Sequence, residues 1–408
     1  MLIDYWRFAL ANPRFLGFGF MLTFLSSGGQ TYFIGVFGPQ IQLEFGLDTG
    51  SWGQVYMAGT LMSALLINWS GSLIDRYDLR LFAGTCLVGL SFACFFITQI
   101  SSVLLLVIAI FLLRQFGQGL TSHAGVTSMA RYYDVNRGKA IALASMGYSL
   151  GEAILPVLGT YGSQTIGWRE TFGYVSIAVF LSILIVMWLL KGQTLRDRNH
   201  RQKMEDDSAK EGGVVSRNRR YLLSEPRFYI MLPAMISTPM IGTAMFFFPS
   251  EIAQSKGWSS LWLTGNYWLY SIVTVLTTIL SGMMVDRFTA RRIVPLFLVP
   301  LAAAMIVINL SDSKWIALLY LAFLGMNSGM YFTGVSALWA ELYGPRHLGS
   351  IKSFTNAIMV FSSALGPALV GTLMKWDVPF SQISLALSGL SIGATVLLVF
   401  ALRIPAKT

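Results

Sequence analysis

Twelve long apolar runs follow one another along this chain, near residues 15–42, 51–74, 81–100, 103–130, 139–164, 171–190, 229–253, 262–284, 292–310, 315–340, 350–374 and 381–402. Each reaches the roughly 20 residues that a helix needs to cross a hydrocarbon core. Backbone N–H and C=O groups left unpaired in lipid are expensive, so each run predicts a transmembrane helix. Composition agrees. Of 408 residues, 54% are hydrophobic and 12% charged, about half the charged fraction of soluble domains. The first run is too long for a signal peptide and no small-residue cleavage site follows it, so it predicts an uncleaved anchor. Cys86 and Cys94 lie eight residues apart in one run, about 12 Å along a helix and beyond disulfide reach. Two such cysteines exclude a disulfide scaffold and a Cys-based metal site. Nothing in the sequence calls for a metal or a cofactor.

The net charge of +10 is explained by where the charge lies. Alternate loops divide the 29 Lys and Arg unequally. Only Arg169, Lys256, Lys314 and Lys375 fall on one side, and Arg114 falls inside a run. The rich side reads as cytoplasmic and holds both termini. The basic excess is therefore a topology signal with a secondary attraction to the lipid bilayer, and no nucleic acid is expected. Between Lys191 and Arg227 the apolar pattern stops in a polar, charged stretch, as expected of a cytoplasmic linker. The domain reading is a six-helix bundle at 1–190, a linker at 191–227 and a second six-helix bundle at 228–408.

The two halves repeat. Gly71-Ser-Leu-Ile-Asp75-Arg76-Tyr-Asp-Leu-Arg80 follows the second run, and Gly282-Met-Met-Val-Asp286-Arg287-Phe-Thr-Ala-Arg291 follows the eighth, every matching residue 211 positions on. Phe37 and Pro39 match Phe247 and Pro249 at an offset of 210, Trp52 matches Trp262 at 210, and Pro156 matches Pro367 at 211. One nearly constant offset along the chain points to a duplicated six-helix unit. Twelve spans, a charged central linker and two copies of G-x-x-x-D-R-x-x-x-R resemble the major facilitator superfamily over the whole chain. That resemblance implies an all-α membrane protein of two six-helix bundles, with substrate bound near the midplane. It makes Gly71, Asp75, Arg76 and Arg80, with Gly282, Asp286, Arg287 and Arg291, a candidate cytoplasmic gate. Carboxylates there can bond helix N-termini and guanidinium groups, and the glycines allow close helix approach.

Two ionisable residues lie deep in the spans, Arg114 and Glu152. Each costs roughly 2.5–3.5 kcal/mol at a helix centre on insertion scales, so such residues face a cavity or a partner. Both fall near mid-depth, and a pair between them is expected. Arg114-Gln115-Phe-Gly117-Gln118-Gly119 resembles the superfamily's fourth-helix signature, with one residue more than its commonest spacing. Gln118 follows Arg114 by four residues and shares its helix face. That face presents a fork of donors suited to a carboxylate. Glu152 stands in Gly147-Tyr148-Ser-Leu-Gly151-Glu152. The two glycines form a small-xxx-small contact surface, and Glu152 is the candidate proton-coupling residue.

Polar residues in other cavity-lining spans complete the candidate substrate site: Gln30 and Tyr32 after the helix-distorting Ser26-Ser27-Gly28-Gly29, then Asn327, Tyr331 and Asn356. No phosphate loop, nucleophile elbow or H-E-x-x-H occurs, and Arg114 with Glu152 forms no nucleophile–base pair. The chain reads as a secondary transporter and not an enzyme. Tyr32-Phe-Ile-Gly-Val-Phe-Gly-Pro39 and Arg137-Gly-Lys-Ala140 through Gly167-Trp168-Arg169 resemble the monocarboxylate and oxalate–formate porters. That narrower resemblance implies a small organic anion moved with a proton, by a monomer in the cell (inner) membrane. The alternatives are a proton-antiport exporter of amphipathic compounds, suited by the many Met and by Phe246–Phe248, and a non-transporting receptor on the same scaffold.

Overall fold

A computed structural model describes residues 2–133, 136–193, 196, 219–343 and 348–404, and every regular element among them is helical. In chain order these are α1 (Leu2–Ala11), α2 (Pro13–Leu25), α3 (Thr31–Ile34), α4 (Gly38–Phe45), α5 (Thr49–Ser70), α6 (Leu79–Phe96), α7 (Val103–Leu113), α8 (Ser122–Tyr132), α9 (Arg137–Thr165) and α10 (Trp168–Leu189). The second half continues with α11 (Arg219–Ser224), α12 (Pro226–Phe247), α13 (Pro249–Ser255), α14 (Ser260–Gly265), α15 (Tyr267–Phe288), α16 (Ala290–Ile293), α17 (Leu298–Val307), α18 (Ile316–Tyr343), α19 (Leu348–Lys375) and α20 (Phe380–Arg403). Ten helical stretches among the described residues are long and apolar enough to cross a membrane. The other two runs are α5, whose 22 residues measure about 33 Å, and the first run, which is interrupted. Most of the central linker, including residues 197–218, lies outside the described residues.

Local signals place the helix ends. Asp78 caps α6 by accepting from the backbone N–H of Arg80 at 2.8 Å, and Ser102 and Ser259 cap α7 and α14 in the same way. Pro13 and Pro226 stand at the first turns of α2 and α12, where the missing N–H costs nothing. Each opens a Pro-Arg-Phe triplet, and the two triplets lie 213 residues apart. Gly46 and Gly257, 211 apart, end α4 and α13 with φ of 62° and 67°, a region open to glycine at no steric cost. The duplication therefore extends to backbone conformation.

The chain forms two compact units. One comprises Met1–Phe37 and Ala58–Gly213, the other Gly38–Met57 and Val214–Thr408. In the first, α9 lies against α2 through Gly147 and Gly151, where any Cβ would overlap the Phe20 carbonyl or the Ser27 hydroxyl. This is the small-residue contact expected there. In the second, Gly366 of α19 lies against the Met240 backbone of α12 in the same manner. Its segment Gly38–Met57 is pinned by Gln42 to Glu251 at 2.8 Å, Thr49 to the Gly371 carbonyl at 2.9 Å and Asp48 to Lys375 at 3.0 Å.

Candidate functional site

The first run breaks where Ser26-Ser27-Gly28-Gly29 occurs. These four residues form one tight 3₁₀ turn, Gln30 leaves helical space at φ −85°, ψ 152°, and the helix restarts at Thr31. The break coincides with a backbone-to-backbone contact. A Cβ on Gly29 would overlap the Leu113 carbonyl, and one on Gly117 would come within 2.6 Å of the Gly29 Cα. Opposite the break, Arg114–Thr121 winds as a π-helix. An i→i+5 turn takes up more chain than an α-turn, which accommodates the additional residue in the Arg-Gln-Gly signature.

Arg114 is 2% exposed. Its Nη1 donates to the Gly29 carbonyl at 3.3 Å and to the Thr31 hydroxyl at 3.1 Å. The guanidinium is thus seated on backbone that the break exposes. Gln115, also 2% exposed, has a different task. Its Nε2 donates to Ser70 at 2.7 Å and its Oε1 accepts from Ser63 at 3.0 Å, fastening the π-stretch to α5. Gln118 is half-buried on the same stretch. Tyr32 is buried, with its hydroxyl 2.7 Å from that of Ser27 and its ring edge-on to Tyr148 at 5.6 Å.

One turn beyond Tyr148 on α9 stands Glu152, 4% exposed. The expected pair with Arg114 is not formed. Among the described residues Glu152 makes no hydrogen bond and no ion pair. Arg114 instead places its Nη1 on the Gly29 carbonyl and the Thr31 hydroxyl of the broken helix. Gln30 is likewise 4% exposed, and its side-chain amide makes no hydrogen bond among the described residues. The first unit therefore holds a seated cation, a buried carboxylate and a buried amide around one helix break.

The second unit treats its candidates differently. The Asn327 amide donates to Thr238 at 3.1 Å and to the Phe297 carbonyl at 2.8 Å, and the Tyr331 hydroxyl donates to the Met235 carbonyl at 2.8 Å. Both tie α18 to its neighbours. Asn356 is exposed on α19. Tyr270, on α15, donates to Ser328 at 2.8 Å, and its ring lies 4.8 Å from Phe246.

The two gate loops also part company. In the first, Gly71 lies beside His123. Arg80 donates to the Leu190 carbonyl at 3.3 Å and Arg131 to the Ile74 carbonyl at 3.1 Å. Arg76 is exposed, and the Asp75 side chain lies outside the described residues. In the second, Gly282 is half-buried, and Asp286 and Arg287 are exposed. Asp286 makes no ion pair among the described residues. The acid that engages this loop is Glu341 of α18. It pairs with Arg291 at 3.3 Å and accepts from the Ala290 N–H at 2.8 Å. Sequence reading missed Glu341, although it stands 210 positions after Arg131 and both act on their loop from the same helix end. It also missed the buried pair of Arg227 with Glu225 at 2.8 Å, to which the Tyr343 hydroxyl donates at 2.7 Å.

The sequence profile described as Major Facilitator Superfamily matches residues 16–367 and, in a second placement, 266–408. The chain belongs to the major facilitator superfamily. It is 24% identical over 334 residues to the uncharacterized MFS-type transporter YuxJ of Bacillus subtilis (strain 168), covering 79% of this chain and 80% of that one. Among solved structures it resembles a bacterial homolog to the human lysosomal transporter Spinster, inward-facing and unoccupied, with a TM-score of 0.66 and 16% identity over 96% of this chain and 94% of that one. The occupied form of that homolog matches equally, with a TM-score of 0.66 over 95% and 93%. The superfamily and the apolar helices make this protein a multi-pass membrane transporter rather than an enzyme. The candidate site gains its context from that assignment: superfamily members bind substrate near the midplane.

Proposed function

We propose that this superfamily member is a secondary transporter that moves a small organic anion of the monocarboxylate kind across the cell (inner) membrane by alternating access, coupled to a proton. The halves 1–190 and 228–408 serve as its two bundles, joined by the linker 191–227. The observation that carries the reading is Arg114 itself, buried deep in an apolar run with its Nη1 seated on the Gly29 carbonyl and the Thr31 hydroxyl at the helix break. A guanidinium offers a planar fork of donors that matches a carboxylate. Gln118, Gln30 and Tyr32 stand on the same elements as further polar contacts, and Asn327, Tyr331 and Asn356 are the candidates of the second half. Glu152 is the proton carrier. An unpaired buried charge costs several kcal/mol, and a bound proton removes that cost whenever the site is closed to water. The gate is read as two loops that stabilise one state: Gly71, Asp75, Arg76 and Arg80 in one, Gly282, Asp286, Arg287 and Arg291 in the other. The protein works as a monomer.

The test uses purified protein at pH 5.5 and 7.5, with thermal unfolding measured against short carboxylates, amino acids, sugars and hydrophobic cations. A ligand at about 100 times its dissociation constant adds about 2.7 kcal/mol to the folded state. Short carboxylates are expected to stabilise the wild type and to lose that effect in Arg114→Gln. In proteoliposomes, Glu152→Gln is expected to keep anion exchange and to lose uptake driven by a pH gradient. Stabilisation by hydrophobic cations alone, unchanged in Arg114→Gln, would reject the anion reading in favour of an exporter.

A further inference from the structure

In the second unit the start of α5 lies along the end of α19. The two helices meet on small residues. A Cβ on Gly53 would overlap the Pro367 carbonyl, and one on Gly50 would come within 3.3 Å of the Thr372 Cα. Beside this seam a groove of about 330 Å³ opens on the surface. Its walls are Gln54 and Met57 of α5 and Leu365, Leu369, Thr372 and Trp376 of α19. Spacings of three, four and seven residues put each set on one side of its helix.

Three features define what fills it. The first is depth. Lys375, at the end of α19, is one of the four cations assigned to the side opposite the termini, and Trp376 beside it is 67% exposed, as suits an indole at headgroup level. Leu365 stands ten residues earlier, about 15 Å along the helix and half of a hydrocarbon core of about 30 Å. The groove therefore spans one leaflet. The second is Gln54, whose side chain is exposed and whose amide makes no hydrogen bond among the described residues. An amide that faces hydrocarbon without a partner is expensive, so the occupant has to offer a polar atom at that level. The third is charge. The Lys375 side chain lies over Gly50, its Cδ 3.1 Å from where a Cβ would stand. It pairs there with Asp48 at 3.0 Å, both residues being about half exposed. The outer end of the groove thus presents one cation and one anion, each with a side open to a further partner.

We infer that this groove is a binding site for an outer-leaflet phospholipid with an ethanolamine headgroup. The phosphate lies on Lys375 and the ammonium on Asp48, an ester carbonyl accepts from Gln54, and one acyl chain runs along Met57, Leu369 and Leu365. A primary ammonium has N–H donors for the Asp48 carboxylate, and charge-assisted bonds of this kind are the strong ones. The trimethylammonium of a choline lipid has no N–H to give. A glycerol headgroup leaves the phosphate charge alone, which the carboxylate repels. Complementarity to both members of one ion pair therefore selects the zwitterion with a primary amine. The site lies apart from Arg114, and its occupation does not depend on the transport reading.

The experiment is native mass spectrometry of the delipidated full chain, titrated with dioleoyl phosphatidylethanolamine, phosphatidylcholine or phosphatidylglycerol. The first lipid is expected to bind about tenfold more tightly when it carries ethanolamine, the worth of one charge-assisted hydrogen bond. Asp48→Asn is expected to remove the preference for ethanolamine over choline. Gln54→Leu is expected to weaken the binding of all three lipids about fivefold. Leu369→Trp, which fills the groove from a position already partly exposed, is expected to abolish the tight component. Equal affinity for the three lipids, unchanged in Leu369→Trp, is the general lipid annulus and overturns the site. Competition by glycerophosphoethanolamine, the headgroup without chains, assigns the ligand to a soluble phosphate ester and overturns the lipid. A wild-type dimer that disappears in Leu369→Trp gives the groove to a second copy of the chain and overturns it as well. Arg114→Gln is expected to leave lipid binding intact while removing stabilisation by short carboxylates, so the two readings fail separately.

Discussion

The first and seventh runs began as copies and ended as different machines. Both open with Pro-Arg-Phe, and Gly29 in one stands 213 positions before Gly242 in the other. By Phe37 and Phe247 the offset has fallen to 210, because eight positions separate Gly29 from Phe37 and five separate Gly242 from Phe247. The three additional residues fall where the first run breaks into a 3₁₀ turn, a bare Gln30 and a restarted helix. Its partner α12 stays one helix from Pro226 to Phe247, even across Pro233 and Pro239. A glycine at Gly29 is enforced by the neighbouring backbone, whereas a Cβ at Gly242 meets nothing within 4 Å. The broken copy exposes a carbonyl and a hydroxyl that seat Arg114. The unbroken copy packs closely along α19, whose Gly366 lies against the Met240 backbone. Duplication supplied two equal helices, and a short change of length in one made a polar site possible.

The strongest way to break this comparison is to remove the freedom of the glycine. Gly29→Ala forces the first run away from Leu113 and Gly117. Overpacking of this kind costs about 1–3 kcal/mol, and the seat of Arg114 goes with it, so stabilisation by carboxylates should vanish as well. Gly242→Ala should fall within about 0.5 kcal/mol of wild type, as a substitution into open space does. Equal thermal unfolding of the two variants would contradict the asymmetry.

A smaller effect sharpens the same contrast at the gate loops. Thr289 occupies the position of Asp78 in the second copy, with φ of 74°, a costly conformation for a β-branched residue. It gives no side-chain cap, and Glu341 reaches across from α18 to bond Ala290 instead. The first loop is capped from within, by Asp78. Glu341→Ala should therefore cost about 1–2 kcal/mol through loss of cap and ion pair and speed amide exchange at residues 290–293. Asp78→Ala should cost about 1 kcal/mol, with faster exchange confined to the start of α6.

The smallest expected effect lies where Asp48 meets Lys375, both about half exposed. The Ser51 backbone N–H, and then Lys375, hold the Asp48 carboxyl below its ordinary value of 3.8. A carboxylate with a lowered folded pKa contributes stability above its unfolded pKa and loses it as the pH falls through the folded one. Lys375→Gln should cost less than about 1 kcal/mol near neutral pH, and the difference should disappear as the pH is lowered below the ordinary value of 3.8. A difference that persists in acid would show that the contact is packing rather than charge.

The sequence by itself determined that this is a helical membrane protein of duplicated halves, because burial of backbone in lipid allows almost nothing else and a repeated offset leaves a plain trace. It also located the helix break at Ser26–Gly29 and picked out Arg114 and Glu152, since ionisable residues deep in apolar runs stand out in any order of reading. Only the tertiary structure decided what those residues do to one another. Arg114 turned to a carbonyl and a hydroxyl of the broken helix, Glu152 was left without a hydrogen bond or ion pair among the described residues, and Asn327 and Tyr331 were drawn into contacts between helices. Glu341 took the loop contacts expected of Asp286, and Lys352 came to donate to Ser336 of α18. Periodicity and hydropathy report which surface of a helix is apolar. They carry no record of which distant carbonyl, hydroxyl or carboxylate will arrive against it, and that arrival depends on glycine contacts and on a change of helix length that only the packed chain reveals.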